Sequence, residues 1–255
     1  MLIEVREVNK TYATRSGDVV KALADVTLQV DEGEFVSVVG PSGCGKSTLL
    51  KILAGLVSLE TGEARIRQEP VRGPRRDLGV VFQEARLLPW LTVLENVLVP
   101  ARVQNLPAAQ SRSRAQGLLQ LAGLSDFAEK YPNELSGGMQ QRVSIARSMI
   151  HDPSILLMDE PFSALDAMTR EHMNVELLRI WSASRKTVFF ITHSVSEAVF
   201  LSDRVIVMTA RPGRIQEELT IDLPRPRTLA MMASPEFASL TGHLRSVFEA
   251  KGVGP

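Results

Sequence analysis

The 255-residue chain contains a single cysteine, Cys44. One thiol excludes an internal disulfide and a metal site built from several cysteines. The 29 basic and 29 acidic side chains cancel, so the protein has no overall positive field that would attract nucleic acid. Any partner is therefore expected to be recognised by a local surface, and nucleic acid is not expected among the partners.

Long apolar runs are also missing. The most apolar segments, such as SILLM and TVFFI, have the length of a strand, whereas a membrane-spanning helix needs about 20 apolar residues. The first ten residues, MLIEVREVNK, mix charged with apolar side chains and lack the apolar centre of a signal peptide. We expect a folded protein that neither spans a membrane nor carries a cleavable signal.

Short apolar runs predict the core of the fold. FVSVVG at 35–40, SILLMD at 154–159 and TVFFIT at 187–192 are nearly continuous and rich in branched residues, as is typical of parallel strands covered on both faces. Helix-like stretches follow them, which predicts an α/β fold with a mostly parallel sheet. Alternating apolar residues before position 31 predict an antiparallel β subdomain, and Pro212-Gly213 lies between two further alternating runs and predicts a hairpin.

Helical patterns replace the strand pattern in the middle of the chain. Thr92 and Glu95 form a capping-box pattern, and Ser136 precedes another helical run. We predict one domain at 1–222, with core segments 1–83 and 153–222 and an inserted helical subdomain at 84–152. A helical extension at 223–255 follows. Its apolar stripe, which begins at Phe237, favours packing onto its own domain, with a dimer or regulatory contact as the alternative.

The segment GPSGCGKS, from Gly40 to Ser47, matches the G-x-x-x-x-G-K-[ST] pattern of a phosphate-binding loop. It follows an apolar strand and opens a helix, which is the context that this mechanism requires. Lys46 is expected to reach the β- and γ-phosphate oxygens and Ser47 to bind Mg²⁺. Cys44 occupies a variable position of the loop and is interpreted as a small filling residue that bound nucleotide would shield.

Two carboxylates follow the second apolar strand in the run ILLMDE. A phosphate loop of this kind needs an acidic residue at the end of another strand, and Asp159 fits this role as a partner of Mg²⁺. Its neighbour Glu160 is the candidate base for the attacking water. A solvated turn would explain this dipeptide alone, but not its occurrence together with the phosphate loop.

A further motif, LSGGMQQR at 135–142, precedes ILLMDEP, SALD at 163–166 and ITHS at 191–194. With the phosphate loop, this ordered set resembles the ATP-binding cassette (ABC) ATPases, which are P-loop NTPases. The resemblance covers almost the whole chain. The fifth position of the signature, often glutamine in this family, is Met139, which leaves the serine and the glycine amides to do most of the phosphate binding.

The resemblance implies an ATP- and Mg²⁺-dependent ATPase that works as a homodimer. It implies catalytic roles for Glu160, His193, Gln83 and Lys46. It implies Mg²⁺ contacts for Ser47, Gln83 and Asp159. The implied nucleotide contacts are Tyr12, Gly40, Pro41, Ser42, Gly43, Cys44, Gly45, Lys46, Ser47, Thr48, Ser136, Gly137, Gly138 and Asp166.

Position supports the assignment of His193, and the resemblance implies that of Tyr12. His193 follows a predicted parallel strand and so lies at the sheet edge where such folds bind ligands; His151, His172 and His243 are interpreted as structural. Tyr12 matches the aromatic residue that stacks on adenine in this family, with ordinary packing as the alternative.

The resemblance also implies that Gln83 is a switch that senses the nucleotide, and the apolar cluster at 87–91 begins four positions after it. We predict that the surface at 83–98 receives a short helix of a membrane permease, the alternative being that the cluster is core. The chain resembles importer ATPases of the nitrate/sulfonate/taurine branch in the segments VVFQEARLLPWLTVLENV, MDEPFSALDAMTR and THSVSEAVFLSDRVIVMTARPGRI and in the late PEF. Members of that branch use a separate permease and an extracytoplasmic solute-binding protein. This implies a peripheral protein on the cytoplasmic side of the cell membrane. An exporter or lipid-trafficking ATPase, or a soluble ABC ATPase without a transport role, remains the alternative.

Overall fold

The computed structural model describes residues 1–13, 18–163, 165–184 and 186–249. Ala164 of the SALD motif and the last six residues of the predicted C-terminal extension lie outside these ranges. The chain divides into two compact units, one combining Met1–Arg75 with the chain from Thr187 onward and the other comprising Arg76–Lys186. The predicted helical subdomain at 84–152 lies within the second unit, and its boundaries stay a prediction.

The described residues form the following strands, in chain order: β1 (Ile3–Ala13), β2 (Val19–Val30), β3 (Phe35–Val39), β4 (Thr61–Ile66), β5 (Glu69–Pro70), β6 (Leu78–Val81), β7 (Ile155–Asp159), β8 (Thr187–Ile191), β9 (Arg204–Met208) and β10 (Ile215–Thr220). The helices are α1 (Lys46–Leu53), α2 (Val93–Val103), α3 (Ala108–Leu121), α4 (Gly137–Met149), α5 (Ala167–Ser184), α6 (Val195–Leu201) and α7 (Pro235–Glu249). Within the described ranges, none of these helices is long and apolar enough to cross a lipid bilayer.

The first unit contains an antiparallel sheet in the order β2–β1–β4–β5. Ile3 is paired with Val30 of β2 and with Ile66 of β4, and all three side chains are fully buried. The apolar alternation therefore does predict β1 and β2, and burial of one face is what fixes their register. The structure adds β4 and β5 to this predicted pair.

The same unit contains the predicted parallel strands. β3 pairs in parallel with β8 on one side and with β9 on the other, while β10 pairs antiparallel with β9. Every residue of β3 and of β8 is buried, as expected for strands covered on both faces. The hairpin predicted from Pro212-Gly213 is the β9–β10 connection, and this prediction is confirmed.

The C-terminal helix α7 packs onto its own unit. Phe237 and Leu244 of its apolar stripe are buried, and Gln216 of β10 donates through Nε2 to the Val247 carbonyl oxygen at 3.2 Å. Before it, the buried Arg227 donates to three carbonyl oxygens at the end of α6, those of Val199, Phe200 and Ser202. Burial lowers the pKa of this guanidinium to about 10, so it remains charged at neutral pH and satisfies the helix end. These contacts support packing as the role of the stripe.

The second unit pairs β6 and β7 in parallel and packs α2, α3 and α4 against one another. The predicted capping box at the start of α2 is present: the Thr92 hydroxyl accepts from the Glu95 N–H, and the Glu95 carboxylate accepts from the Thr92 N–H. The parallel pairs, the antiparallel N-terminal sheet and the helical segment together confirm the predicted α/β fold class.

Candidate functional site

The segment 40–48 comprises the connection from β3 to α1, residues 40–45, and the first three residues of α1. Gly43 and Gly45 have left-handed backbone, with φ of 73° and 103°, a conformation that glycine adopts at little cost. A Cβ built on Gly45 would come within 2.7 Å of the Ala22 carbonyl oxygen, and one on Gly40 within 2.9 Å of the Met208 carbonyl oxygen. The curved shape of this loop therefore requires glycine at these positions.

Helix α1 begins at the end of this loop with Gly45 as its N-cap and, among the described residues, no side-chain cap. The first N–H groups of a helix have no partner within the helix and favour an anion. Ser42 and Gly43 are exposed, while Pro41, Ser47 and Thr48 are half-buried. The loop can therefore offer backbone donors to a phosphate group that approaches from solvent.

Lys46 is turned back onto the loop. Its Nζ donates to the carbonyl oxygens of Gly40 at 2.8 Å and Pro41 at 3.1 Å, and the side chain is only 5% exposed. Carbonyl dipoles offset part of the cost of burying an ammonium group. A phosphate oxygen at this site would compete with the same two carbonyls for Nζ.

Cys44 is fully buried, and burial raises the pKa of its thiol. Its Sγ lies 3.8 Å from the Nζ of Lys46, and it lies 3.0 Å from the position that a Cβ on Gly40 would take. A protonated, enclosed thiol is a poor nucleophile. The position is therefore one of packing within the loop, as the interpretation of a small filling residue requires.

Tyr12 lies near the end of β1 and is 39% exposed. The Nζ of Lys10 stands 5.3 Å from the centroid of its ring, within the range of a cation–π contact. Because the ring lies at the surface, it is accessible to a planar ligand.

His193 follows β8 and is exposed. Val38 of β3 is paired with Ile191 of β8, so the phosphate loop and His193 leave the same edge of two neighbouring parallel strands. The Thr192 hydroxyl accepts the N–H of Ser194 at 2.9 Å and bonds the Glu197 carboxylate. The Ser194 hydroxyl oxygen accepts the Glu197 N–H and caps α6. These bonds fix the backbone on both sides of His193.

The second unit has an equivalent edge. Val81 of β6 is paired with Met158 of β7, so Gln83, Asp159 and Glu160 all lie at the carboxyl ends of two neighbouring parallel strands, with Asp159 as the last residue of β7. Gln83 is exposed, Asp159 is buried and Glu160 is half-buried. Glu160 has φ of 45°, a left-handed conformation that costs a non-glycine residue on the order of 1 kcal/mol and is common at functional sites.

Asp166 is exposed and caps α5. Its Oδ1 accepts the Thr169 N–H at 3.0 Å, and hydrogen bonds from the Thr169 side chain and backbone lower the pKa of this carboxyl. The predicted nucleotide contact of Asp166 would thus be made by a side chain that also holds a helix end.

The motif LSGG forms the start of α4. Ser136 is the N-cap, and its Oγ accepts the Met139 N–H at 3.3 Å. Ser136 and Gly137 are exposed. A Cβ built on Gly137 would meet nothing within 4 Å, whereas one on Gly138 would come within 2.9 Å of the Leu165 side chain. Nothing in the described part of the chain therefore requires glycine at position 137.

Two side chains of α4 are bonded to the segment that contains Gln83. Gln141 donates through Nε2 to the Phe82 carbonyl oxygen at 3.0 Å. Arg147 donates to the carbonyl oxygens of Arg86 at 2.9 Å and Ala85 at 2.6 Å, and burial lowers the pKa of its guanidinium. Neither residue was predicted from the sequence, although a glutamine and an arginine on either side of the run VSIA in α4 were the available signal.

The apolar cluster at 87–91 is only partly buried. Trp90 is 70% exposed and Pro89 is exposed, while Leu87, Leu88 and Leu91 are half-buried. Beneath it, the fully buried Asn96 accepts the Leu88 N–H at 2.8 Å and donates to the carbonyl oxygens of Leu88, Leu91 and Thr92. The exposed tryptophan therefore stands on a loop with a fixed backbone.

A family model for ABC transporters matches residues 23–163, which is more than half of the chain. This chain belongs to the ABC transporter family. Its fold is that of the ABC ATPases, and family membership places it in the enzyme class that the motifs predict.

Its relatives support this assignment over most of the chain. It is 54% identical over 212 residues to an uncharacterized ABC transporter ATP-binding protein of Methanocaldococcus jannaschii, covering 83% of this chain and 79% of the relative. An aliphatic sulfonates import ATP-binding protein of Bacillus cereus is 44% identical over 228 residues, covering 89% of both chains.

Solved structures show the same fold. A bacterial ABC transporter cassette in dimeric form matches with a TM-score of 0.79 and 36% identity, covering 88% of this chain and all of that one. A dimeric cassette in a post-hydrolysis state, bound to ADP and phosphate, matches with a TM-score of 0.78.

Proposed function

We propose that this ABC ATPase binds ATP on the loop at 40–48, hydrolyses it as a homodimer, and drives the uptake of a small solute through a separate permease. The observation that carries the proposal is the arrangement of strand ends. In one unit the phosphate loop and His193 follow β3 and β8, and in the other Gln83, Asp159 and Glu160 lie at the carboxyl ends of β6 and β7. Ligands of such sheets bind at the carboxyl ends of the strands.

The first unit would hold the nucleotide. The backbone N–H groups of the loop and of the first turn of α1 bind the phosphates, with the Lys46 ammonium moving from the loop carbonyls to the β- and γ-phosphate oxygens. The exposed ring of Tyr12 stacks on the adenine. His193, on a backbone fixed by Thr192, contacts the γ-phosphate side of the site.

Asp159 and Glu160 are the proposed carboxylates. Glu160 accepts a proton from the attacking water. Ser47, Gln83 and Asp159 offer a hydroxyl, an amide oxygen and a carboxylate, the oxygen donors that Mg²⁺ prefers. When bound, this ion neutralises negative charge on the phosphate oxygens. Gln83 would also report the state of the nucleotide to the segment at 85–91.

The exposed start of α4 supports a dimer. The Ser136 hydroxyl oxygen accepts the Met139 N–H. A hydroxyl that accepts a hydrogen bond can still donate its own hydrogen, so Ser136 is able to donate to an external acceptor. A helix N-terminus favours an anion by about 0.3–1 kcal/mol. We infer that the signature of one subunit contacts the ATP held by the phosphate loop of the other. Two-fold symmetry then gives two complete sites.

Substitution of Lys46 by alanine should weaken ATP binding about 10- to 100-fold, because hydrogen bonds to charged groups contribute roughly 1.5–3 kcal/mol. Titration with a fluorescent ATP analogue measures this affinity. Lys51 is exposed on the same helix, so Lys51→Ala is the matched control and should bind as the wild type does. Unchanged affinity in Lys46→Ala would show that the nucleotide binds elsewhere.

The segment at 87–91 is the proposed permease-binding surface. An exposed tryptophan on a rigid loop is suited to insertion into a partner, because large aromatic residues contribute much of the binding energy at interfaces. Arg147 and Gln141 tie the backbone next to Gln83 to the signature helix. A displacement of the signature helix can therefore reach this surface through bonded segments of one unit. We propose a short helix of a membrane permease as the partner.

Trp90→Ala should lower the affinity for the permease roughly 30-fold, since loss of a central interface tryptophan costs about 2 kcal/mol or more. Less permease should therefore co-purify with this variant. Pull-down of the co-expressed complex measures this effect. Val103 is 74% exposed at the end of α2, and Val103→Ala is the control for the loss of an exposed apolar side chain. Full retention of Trp90→Ala in the complex would contradict the assigned surface.

The similarity to an aliphatic sulfonates import protein favours import of a sulfonate-like or other small anion with the help of a solute-binding protein. The subunit would then be peripheral on the cytoplasmic side of the cell membrane. Reconstitution with its permease in vesicles, followed by measurement of which solute stimulates ATP hydrolysis, tests this proposal. Stimulation by a lipid, or by solute on the side of the ATPase, would favour the exporter alternative.

A further inference from the structure

The connection between β9 and β10, residues 209–214, forms a rigid turn. The Thr209 N–H donates to the Arg214 carbonyl oxygen at 3.0 Å, and the Arg214 N–H donates to the Thr209 hydroxyl oxygen at 3.0 Å. The same hydroxyl donates to the Pro212 carbonyl oxygen at 3.1 Å. Three bonds thus fix the backbone that carries Arg211.

This turn is also attached to β2 and lies against the phosphate loop. The Gly213 N–H donates to the Ala22 carbonyl oxygen at 2.9 Å, and the Gly213 carbonyl oxygen accepts the Ala24 N–H at 3.0 Å. A Cβ on Gly213 would stand 2.0 Å from the Cys44 carbonyl oxygen. Glycine is therefore required at position 213 because the turn and the loop touch through their backbones.

Arg211 extends from this turn onto the exposed part of the loop. Its Nε donates to the Gly43 carbonyl oxygen at 3.3 Å, and its Nη2 lies 3.1 Å from the position that a Cβ on Gly43 would take. Gly43 is exposed and has φ of 73°, a conformation that glycine adopts readily but is not confined to, so its backbone has freedom to lose when a ligand binds.

We propose that Arg211 is a positioning residue for ATP binding, which acts by holding Gly43 in the conformation that the phosphates require. Ordering a glycine costs conformational entropy, and a bond that is already present in the free protein removes this cost from the binding step. The guanidinium also places a permanent positive charge beside a loop that receives a triphosphate. The inference rests on the proposed ATP site and adds a residue to it that lies far away in sequence.

Arg214 is the natural comparison. It belongs to the same turn and is also exposed, but its guanidinium pairs with the Asp25 carboxylate at 2.9 Å. Loss of Arg214 therefore removes the same charge from the same turn without removing the bond to Gly43.

Arg211→Gln should raise the KM for MgATP about three- to tenfold, which is the expected effect of losing one hydrogen bond. Its kcat should stay within about twofold of the wild-type value, because the contact lies in the binding loop. Arg211→Lys should recover part of the affinity, since an ammonium group can donate to the same carbonyl. Arg214→Gln should leave the KM unchanged. Circular dichroism and thermal melting confirm that each variant is folded.

A wild-type KM in Arg211→Gln would overturn the inference, and so would an equal rise in both glutamine variants, which would indicate only the charge of the turn. A fall in kcat at constant KM would also contradict it. These results leave the proposed function intact as long as the wild type hydrolyses ATP and Lys46→Ala binds it more weakly than the wild type does. Failure of the wild type to bind ATP would instead reject the proposed site itself.

Discussion

Glu160→Gln should bind ATP normally, hydrolyse it about 10²–10⁴-fold more slowly, and accumulate as an ATP-bound dimer. The expected loss is the usual contribution of a general base. Glutamine has nearly the same shape and removes the charge and the basicity, so the backbone at φ of 45° should be preserved. Light scattering after size-exclusion chromatography with MgATP measures the dimer, and phosphate release measures the rate.

The control for this experiment is Glu171→Gln. Glu171 is exposed on α5, so its substitution changes the net charge equally and should leave the rate and the monomer–dimer equilibrium unchanged. A Glu160→Gln protein that stays monomeric in MgATP would contradict the proposal that hydrolysis opens a closed dimer. A protein that keeps its full hydrolysis rate would show that Glu160 is not the base.

Much of this candidate site could be predicted because its parts are continuous in sequence. Each part lies at a strand end or a helix start that is visible in the sequence beside it. These parts are the loop at 40–48, the pair Asp159 and Glu160, and the cap Ser136. Their local geometry follows from short-range rules, such as left-handed backbone at glycine and an oxygen acceptor at an N-cap. The apolar runs then place the flanking strands, since a parallel strand must be buried on both faces.

The contacts that hold the site in place could not be predicted in the same way. Arg211 reaches Gly43 across 168 positions, Arg147 reaches Arg86 across 61, and Gln141 reaches Phe82 across 59. In each contact a side chain donates to a backbone carbonyl oxygen. Every residue has such a carbonyl, so the residue type of the acceptor does not indicate which donor it binds. The conformation of Glu160 was equally hidden, because a left-handed glutamate is imposed by its surroundings and not by its own preference.

The strand β4 shows a further limit. Its sequence TGEARI buries only Ala64 and Ile66, and two buried residues in six are too few to distinguish a strand from a loop by periodicity. The pairing with β1 determines its structure, because Ile3 and Val5 present an apolar edge to Ile66 and Ala64. Tertiary pairing here overrides a weak local signal.

Gly137→Asp should fold normally, bind ATP as a monomer with wild-type affinity, and lose hydrolysis by at least about 100-fold, the typical effect of disturbing a donor to a developing negative charge. The fold should tolerate the change because a Cβ at this position meets nothing within 4 Å. An aspartate in the first turn also suits the helix dipole. What it disturbs is the anion that the proposed dimer brings to this turn, since a carboxylate there repels a phosphate.

Gly117 on α3 provides the matched control, because a Cβ there also meets nothing within 4 Å and the residue is exposed. Gly117→Asp should keep full activity. A thermal melt that falls in Gly137→Asp alone, or a loss of ATP binding by its monomer, would contradict an intermolecular role for this glycine.

Mixing Gly137→Asp with Glu160→Gln then tests which subunit uses the signature. In a head-to-tail dimer of the two variants, one site combines both defects, and the other joins an intact Glu160 to an intact signature. Half of the dimers formed at random are mixed, and each keeps one good site, so up to about a quarter of the wild-type rate should return. If each signature served the ATP of its own subunit, every site would carry one defect and mixing would restore nothing. Recovery in the mixture would thus show that the glycine pair of LSGGMQQR completes the partner's nucleotide site.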